Sequence, residues 1–144
     1  MGKKRIVKKT ETISEDAAKK GAVPSIPKKT VSAAILNVEA SYNNTKVVLT
    51  DTSGKVLCWS SSGSLGFSGA KKGTPFAAAK VGELLADKAQ IMGVNDVSVV
   101  IKGVGSGRES AVRGFISKGF NLLSIKDITP VPFNGPRAPK PRRV

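Results

Sequence analysis

From residue 31 onward the apolar positions fall into short regular groups, whereas residues 1–29 show no apolar period. Val31 to Ala40 is rich in β-branched and small apolar residues and predicts a strand. Asn43-Asn44 marks a turn, and Lys46 to Thr50 predicts the next strand. Asp51-Thr52-Ser53-Gly54 reads as a tight loop with glycine where positive φ is cheap, after which Lys55 to Ser60 pairs back as a hairpin. Thr74-Pro75 opens a helix, with threonine as N-cap and proline in the first turn, where no amide hydrogen is needed. Phe76, Ala77, Val81, Leu84, Leu85 and Met92 approximate its apolar face, and Gly93 closes it. Val97 to Ile101 is short and nearly all β-branched, which predicts a strand covered on both faces. A glycine loop, Gly103 to Gly107, leads into a second helix, Arg108 to Lys118, capped by Gly119. Leu122 to Thr129 predicts the last strand, ended by Pro130 and Pro132. The order β-β-β-α-β-α-β implies an α/β fold with a mixed sheet flanked by helices.

Charge changes this picture at both ends. The chain of 144 residues carries 24 Lys+Arg against 10 Asp+Glu, a net charge of +14. Residues 1–29 hold nine cations and three acids, and residues 131–144 hold four cations and no acid. The organisation expected is a basic flexible arm (1–29), an α/β core domain (30–130) and an extended Pro-rich basic tail (131–144). A compact middle with two cationic arms suits a polyanion, because each phosphate neutralised by Lys or Arg releases a condensed counterion.

Composition removes whole classes of chemistry. There is no histidine, so the commonest general base and the commonest metal ligand are missing. Cys58 is the only cysteine, which excludes an internal disulfide and a cysteine-rich zinc site. In its apolar run Cys58 reads as a buried strand residue, with Trp59 packed beside it. Glu39, Asp51, Asp96 and Asp127 lie near predicted strand ends but form no convergent acidic group in the sequence. No cofactor or metal is expected. No secretory signal and no apolar run long enough to span a bilayer is visible, so a cytoplasmic protein with no membrane partner is expected.

Two loops remain as candidate sites. Ser61 to Gly73 combines glycines, hydroxyls, Phe67 and the adjacent Lys71 and Lys72, and it runs into a helix N-terminus, where free N–H groups attract phosphate. Gly103-x-Gly105-x-Gly107-Arg108 lacks the glycine spacing of a dinucleotide fingerprint. It is either a tight glycine-rich turn or a backbone nest with Arg108 placed to grip a phosphate.

The separated motifs Ala40-Ser41-Tyr42-Asn43-Asn44-Thr45, Trp59-Ser60-Ser61-x-Gly63-x-x-Gly66-Phe67, Lys71-Lys72-x-Thr74-Pro75-Phe76, Gly103-x-Gly105-x-Gly107-Arg108-Glu109 and Asp127-x-Thr129-Pro130 through Lys140-x-Arg142-Arg143-Val144 occur in order. Together they resemble the universal small-subunit ribosomal protein eleven family, in its bacterial form, over about residues 31–144. The resemblance implies a ribonuclease H-like core without enzymatic activity or small-molecule substrate. It implies a place on the platform of the small subunit, bridging helices of 16S ribosomal RNA and lining the Shine–Dalgarno cleft near messenger RNA. Ribosomal proteins seven and eighteen are the neighbours it implies. Ribosomal-RNA contacts would then fall on Asn43, Asn44 and Lys46, and on Ser60, Ser61, Gly63, Gly66, Phe67, Lys71 and Lys72. Further contacts would fall on Gly105, Gly107, Arg108 and Arg113, and in the tail on Asn134, Gly135, Arg137, Lys140, Arg142 and Arg143. The chain departs from the family at Phe133, where histidine is usual, and at Ser68 and Pro141, where lysine is more usual. The rival classes are a metal-dependent nuclease, which would need acids such as Asp51 or Glu39, and a DNA-compacting protein, which would bind duplex DNA equally.

Overall fold

In a computed structural model that describes residues 31–141, alternation and helical period become one sheet and two helices. The strands are β1 (Ala33–Ala40), β2 (Thr45–Asp51), β3 (Val56–Ser61), β4 (Asp96–Lys102) and β5 (Asn121–Asp127). The helices are α1 (Pro75–Ile91), between β3 and β4, and α2 (Gly107–Ile116), between β4 and β5. The expected basic arm of residues 1–29 lies outside the described residues, as do Arg142 and Arg143.

The sheet order is β3-β2-β1-β4-β5. β1, β2 and β3 form an antiparallel meander, and β4 and β5 then join parallel to β1 through helical crossovers. That makes the sheet mixed, as expected. Both helices lie together on one face of it, with α1 over β2 and β3 and α2 over β1, β2 and β4. Leu36, Val38, Val47, Leu49, Val97 and Val99 point into that layer and meet Val81, Leu85, Val112 and Phe115 from the helices. The core is aliphatic apart from Phe115 and Phe120, which stack with ring centroids 4.5 Å apart. A Leu-to-Ala truncation at a site such as Leu36, fully buried, removes about 2–5 kcal/mol.

Local chemistry places the helix ends where the sequence does. Thr74 Oγ1 accepts from the Ala77 amide at 3.4 Å, and proline occupies the first turn of α1. Gly93 (φ 77°) and Gly119 (φ 94°) supply the left-handed residues that end the two helical segments.

The other sheet face is open, which changes two sequence expectations, and a third changes on α1. β4 is fully buried only on its helix side, since Ser98 and Val100 are half-buried, so it is not covered on both faces. Trp59 is not packed. Its register partner is Val48 on the open face, and it is 56% exposed. Phe76 leaves the apolar stripe of α1: it is exposed and meets Phe67 edge-on at 6.1 Å instead. A β-branched or aromatic strand residue packs well on a half-covered face too, so its type alone does not say how many layers surround it.

Candidate nucleic-acid interface

Four of the five strands run the same way, so β1, β3, β4 and β5 all finish at one end of the sheet. Topology therefore delivers the segments after Ala40, Ser61, Lys102 and Asp127 to that end, with the N-termini of α1 and α2. Ligands of α/β sheets collect at such carboxyl ends for the same reason. The turn, both candidate loops and the root of the tail become neighbours there.

Glycines let these backbones touch. A side chain at Gly73 would collide with the carbonyl of Tyr42, and one at Gly105 with the carbonyl of Ser41. The Gly105 amide donates to the Ala40 carbonyl at 2.9 Å, and Ser106 Oγ donates to the Gly73 carbonyl at 2.8 Å. The Gly103–Gly107 loop is thus stitched to the Ser41–Asn44 turn on one side and to the Ser-rich loop on the other.

Ser62 is the buried centre of the arrangement. Its Oγ accepts from the Thr45 amide at 3.2 Å and lies 2.7 Å from Asn44 Oδ1 and 2.8 Å from the Lys72 carbonyl. One hydroxyl hydrogen serves one acceptor at a time, so Asn44 and Lys72 share it. Sequence reasoning counted Ser62 among the hydroxyls of the candidate loop and named RNA contacts on either side of it, but gave it no structural role. Its only signal was its position in a run of three serines. Ser60 is also buried, its hydroxyl 3.2 Å from Ser64 Oγ, and Phe67 is half-buried against Phe76. These side chains shape the loop from within. Asn43, Gly63, Gly66 and Lys71 are exposed, and Lys72 and Ser61 are half-exposed.

The charges divide into two sets. Arg108, Lys80, Arg113 and Lys118 each have a carboxylate partner. Among the described residues, the other cations have none within ion-pair distance: Lys46, Lys71, Lys72 and Lys102 at this end of the sheet, and Lys55, Lys88, Lys126, Arg137 and Lys140 elsewhere on the chain. Arg108, expected to grip phosphate, spends its guanidinium on protein: it donates to the Gly103 carbonyl at 2.7 Å and pairs with Asp127. Asp127 Oδ1 also accepts from Thr129, from the amide at 2.8 Å and from the hydroxyl at 2.6 Å. Those two Thr129 bonds, then Arg108, hold the Asp127 carboxyl down at about 2. The Gly103 amide in turn donates to Thr129 Oγ1 at 3.2 Å, so the start of the tail is tied to the glycine loop.

Other predicted residues lie apart from this end. Arg113 is farther along α2, strongly exposed and 4.0 Å from Glu109. Asn134, Gly135, Arg137 and Lys140 lie in exposed chain without regular structure, beyond the tail root. Burial pushes the Cys58 thiol up to about 11, Lys88 opposing, which keeps it protonated and a poor nucleophile. Among the described residues no group of three or more metal-binding side chains converges, and no helix is long and apolar enough to cross a membrane.

A surface of lysines without acid partners, exposed glycine-containing loops and helix N-termini fits phosphate far better than a small apolar ligand. The family model described as Ribosomal protein S11 matches residues 34–143, which spans the sheet, both candidate loops and the tail. The chain therefore belongs to the ribosomal protein S11 family, the ribosomal-RNA-binding proteins of the small ribosomal subunit.

Proposed function

We propose that the protein is a structural, non-enzymatic component of the platform of the small subunit, in cytoplasmic ribosomes. The convergence of four chain segments and unpaired lysines at one end of the sheet carries this reading. Lys46, Lys71 and Lys72 replace counterions on the 16S backbone, and Asn43, Ser61, Gly63 and Gly66 approach it closely. Arg137, Lys140, Arg142 and Arg143 continue the contact along the tail. Arg108 acts from behind, holding the tail root against the glycine loop through Asp127. Ribonuclease H-like topology supplies the frame, and no residue of a nuclease centre is used. The same proposal sets the protein along the Shine–Dalgarno cleft, beside ribosomal proteins seven and eighteen.

Binding of the purified chain to an isolated platform fragment of 16S RNA, measured against salt, tests this. The log–log slope is expected to be about −0.7 to −0.9 per phosphate contact, and removing residues 131–144 should make it shallower. A flat response, or equal affinity for duplex DNA, contradicts the reading.

A further inference from the structure

The strand order reverses at β1. The chain leaves β1 toward β2 on one side and leaves β4 toward β5 on the other, so the segments after Ala40 and Lys102 diverge. A crevice opens at such a reversal in an open α/β sheet. Here it holds about 290 Å³, lined by Glu39, Tyr42, Lys102, Val104, Thr129 and Pro130. Ligand pockets begin at roughly 300 Å³, so the space suits one small ring system. The turn after β1, the glycine loop and the tail root all contribute, so the crevice is continuous with the loops that carry the RNA-binding reading.

Its side chains suit a base better than a phosphate alone. Tyr42 is 78% exposed and Val104 56%, an aromatic and a branched apolar group held toward solvent. Thr129 is fixed by its bonds to Asp127 and to the Gly103 amide. Glu39 stands in register between Lys46 and Lys102, yet among the described residues none of the three makes an ion pair. That carboxylate repels phosphate. The basic arm of residues 1–29, or a second copy of net charge +14, would bring cations against Lys46 and Lys102. RNA instead offers the acid hydrogen-bond donors. A ribose 2′-hydroxyl offers one, and an unpaired uracil, cytosine or adenine offers one donor group on its Watson–Crick edge. Guanine offers two side by side, N1–H and N2–H, which match the two oxygens of a carboxylate.

We propose that this crevice is a subsite for one unpaired guanine of the ribosomal RNA. The base lies against Tyr42 and Val104, Glu39 accepts from N1–H and N2–H, and Lys102 meets the adjoining phosphate. The inference rests on the RNA-binding reading and adds the base that this end of the sheet selects.

Kethoxal, which reacts with N1 and N2 of unpaired guanines, tests it on the full-length chain bound to the platform fragment of 16S RNA. At concentrations that saturate the fragment with either protein, the native chain should protect one guanine that regains reactivity with Glu39→Gln, whose amide oxygen is a single acceptor. Replacing that guanine by inosine, which lacks N2, should weaken binding of the native chain about tenfold and of Glu39→Gln less than about twofold. The same protected guanines with both proteins, or an equal loss from inosine, overturns the proposal and leaves the RNA-binding reading standing. So does a Glu39→Gln chain that binds every RNA more tightly with no change in footprint, because the acid then only repels phosphate. A chain that does not bind the fragment overturns both.

Discussion

A single hydroxyl holds much of the interface geometry. Ser62 joins the start of β2 to both Asn44 and Lys72, and it is fully buried. Ser62→Ala strips the Thr45 amide of its side-chain acceptor and should cost about 1–3 kcal/mol. Urea unfolding should show it, with faster hydrogen exchange at Thr45, and an unchanged midpoint would deny Ser62 this role. Asp127 gives a second test at the same scale. Its carboxyl titrates at about 2 in the folded chain against 3.8 when unperturbed. A depressed carboxylate adds stability above its unfolded value and loses it as pH falls through its folded one. The tie between Thr129 and the glycine loop should therefore loosen between about pH 4 and pH 2. Amide signals of Ile128 and Gly103 followed by NMR should shift together over that window, and Asp127→Asn should abolish the shift. Little of this was legible in the sequence. A serine among serines does not announce that it is buried, and Arg108 beside glycines reads as a phosphate grip until Asp127 arrives from nineteen residues away in space-filling contact.

Between elements, backbone proximity decides what the helices can do. α1 and α2 approach so closely that a side chain at Gly82 would strike the carbonyl of Ala111, and one at Gly114 would lie 2.6 Å from that of Ala79. Gly→Ala inside a helix ordinarily gains about 1 kcal/mol of propensity. Here overpacking should outweigh it, so Gly82→Ala and Gly114→Ala should each lower stability by about 1–3 kcal/mol. A raised urea midpoint in either variant would show that the helices separate freely. Strands, turns and caps were legible because period, proline and glycine act locally, and their ends agree with the structure to within one or two residues at β2, β3 and β4. Which face each strand would cover was not. Trp59 and Val100 look like core residues in isolation, and only the one-sided helix layer leaves them on an open face.

For the whole molecule, strand direction turns scattered motifs into one surface. Segments separated by up to some ninety residues meet because β1, β3, β4 and β5 share a direction. Charge segregation announced a polyanion partner from the sequence, and the ordered motifs announced the family that the match over residues 34–143 establishes. The pairing of Arg108 with Asp127 stayed hidden, because the two meet only once β5 lies beside β4. The most direct measurement is ultraviolet cross-linking of assembled small subunits, with every RNA-attached residue of this chain mapped by mass spectrometry. Attachment should concentrate in residues 42–46, 61–73, 103–107 and 131–144. Attachment spread over the outer faces of α1 and α2, or missing from the loops at the end of the sheet, would contradict the account.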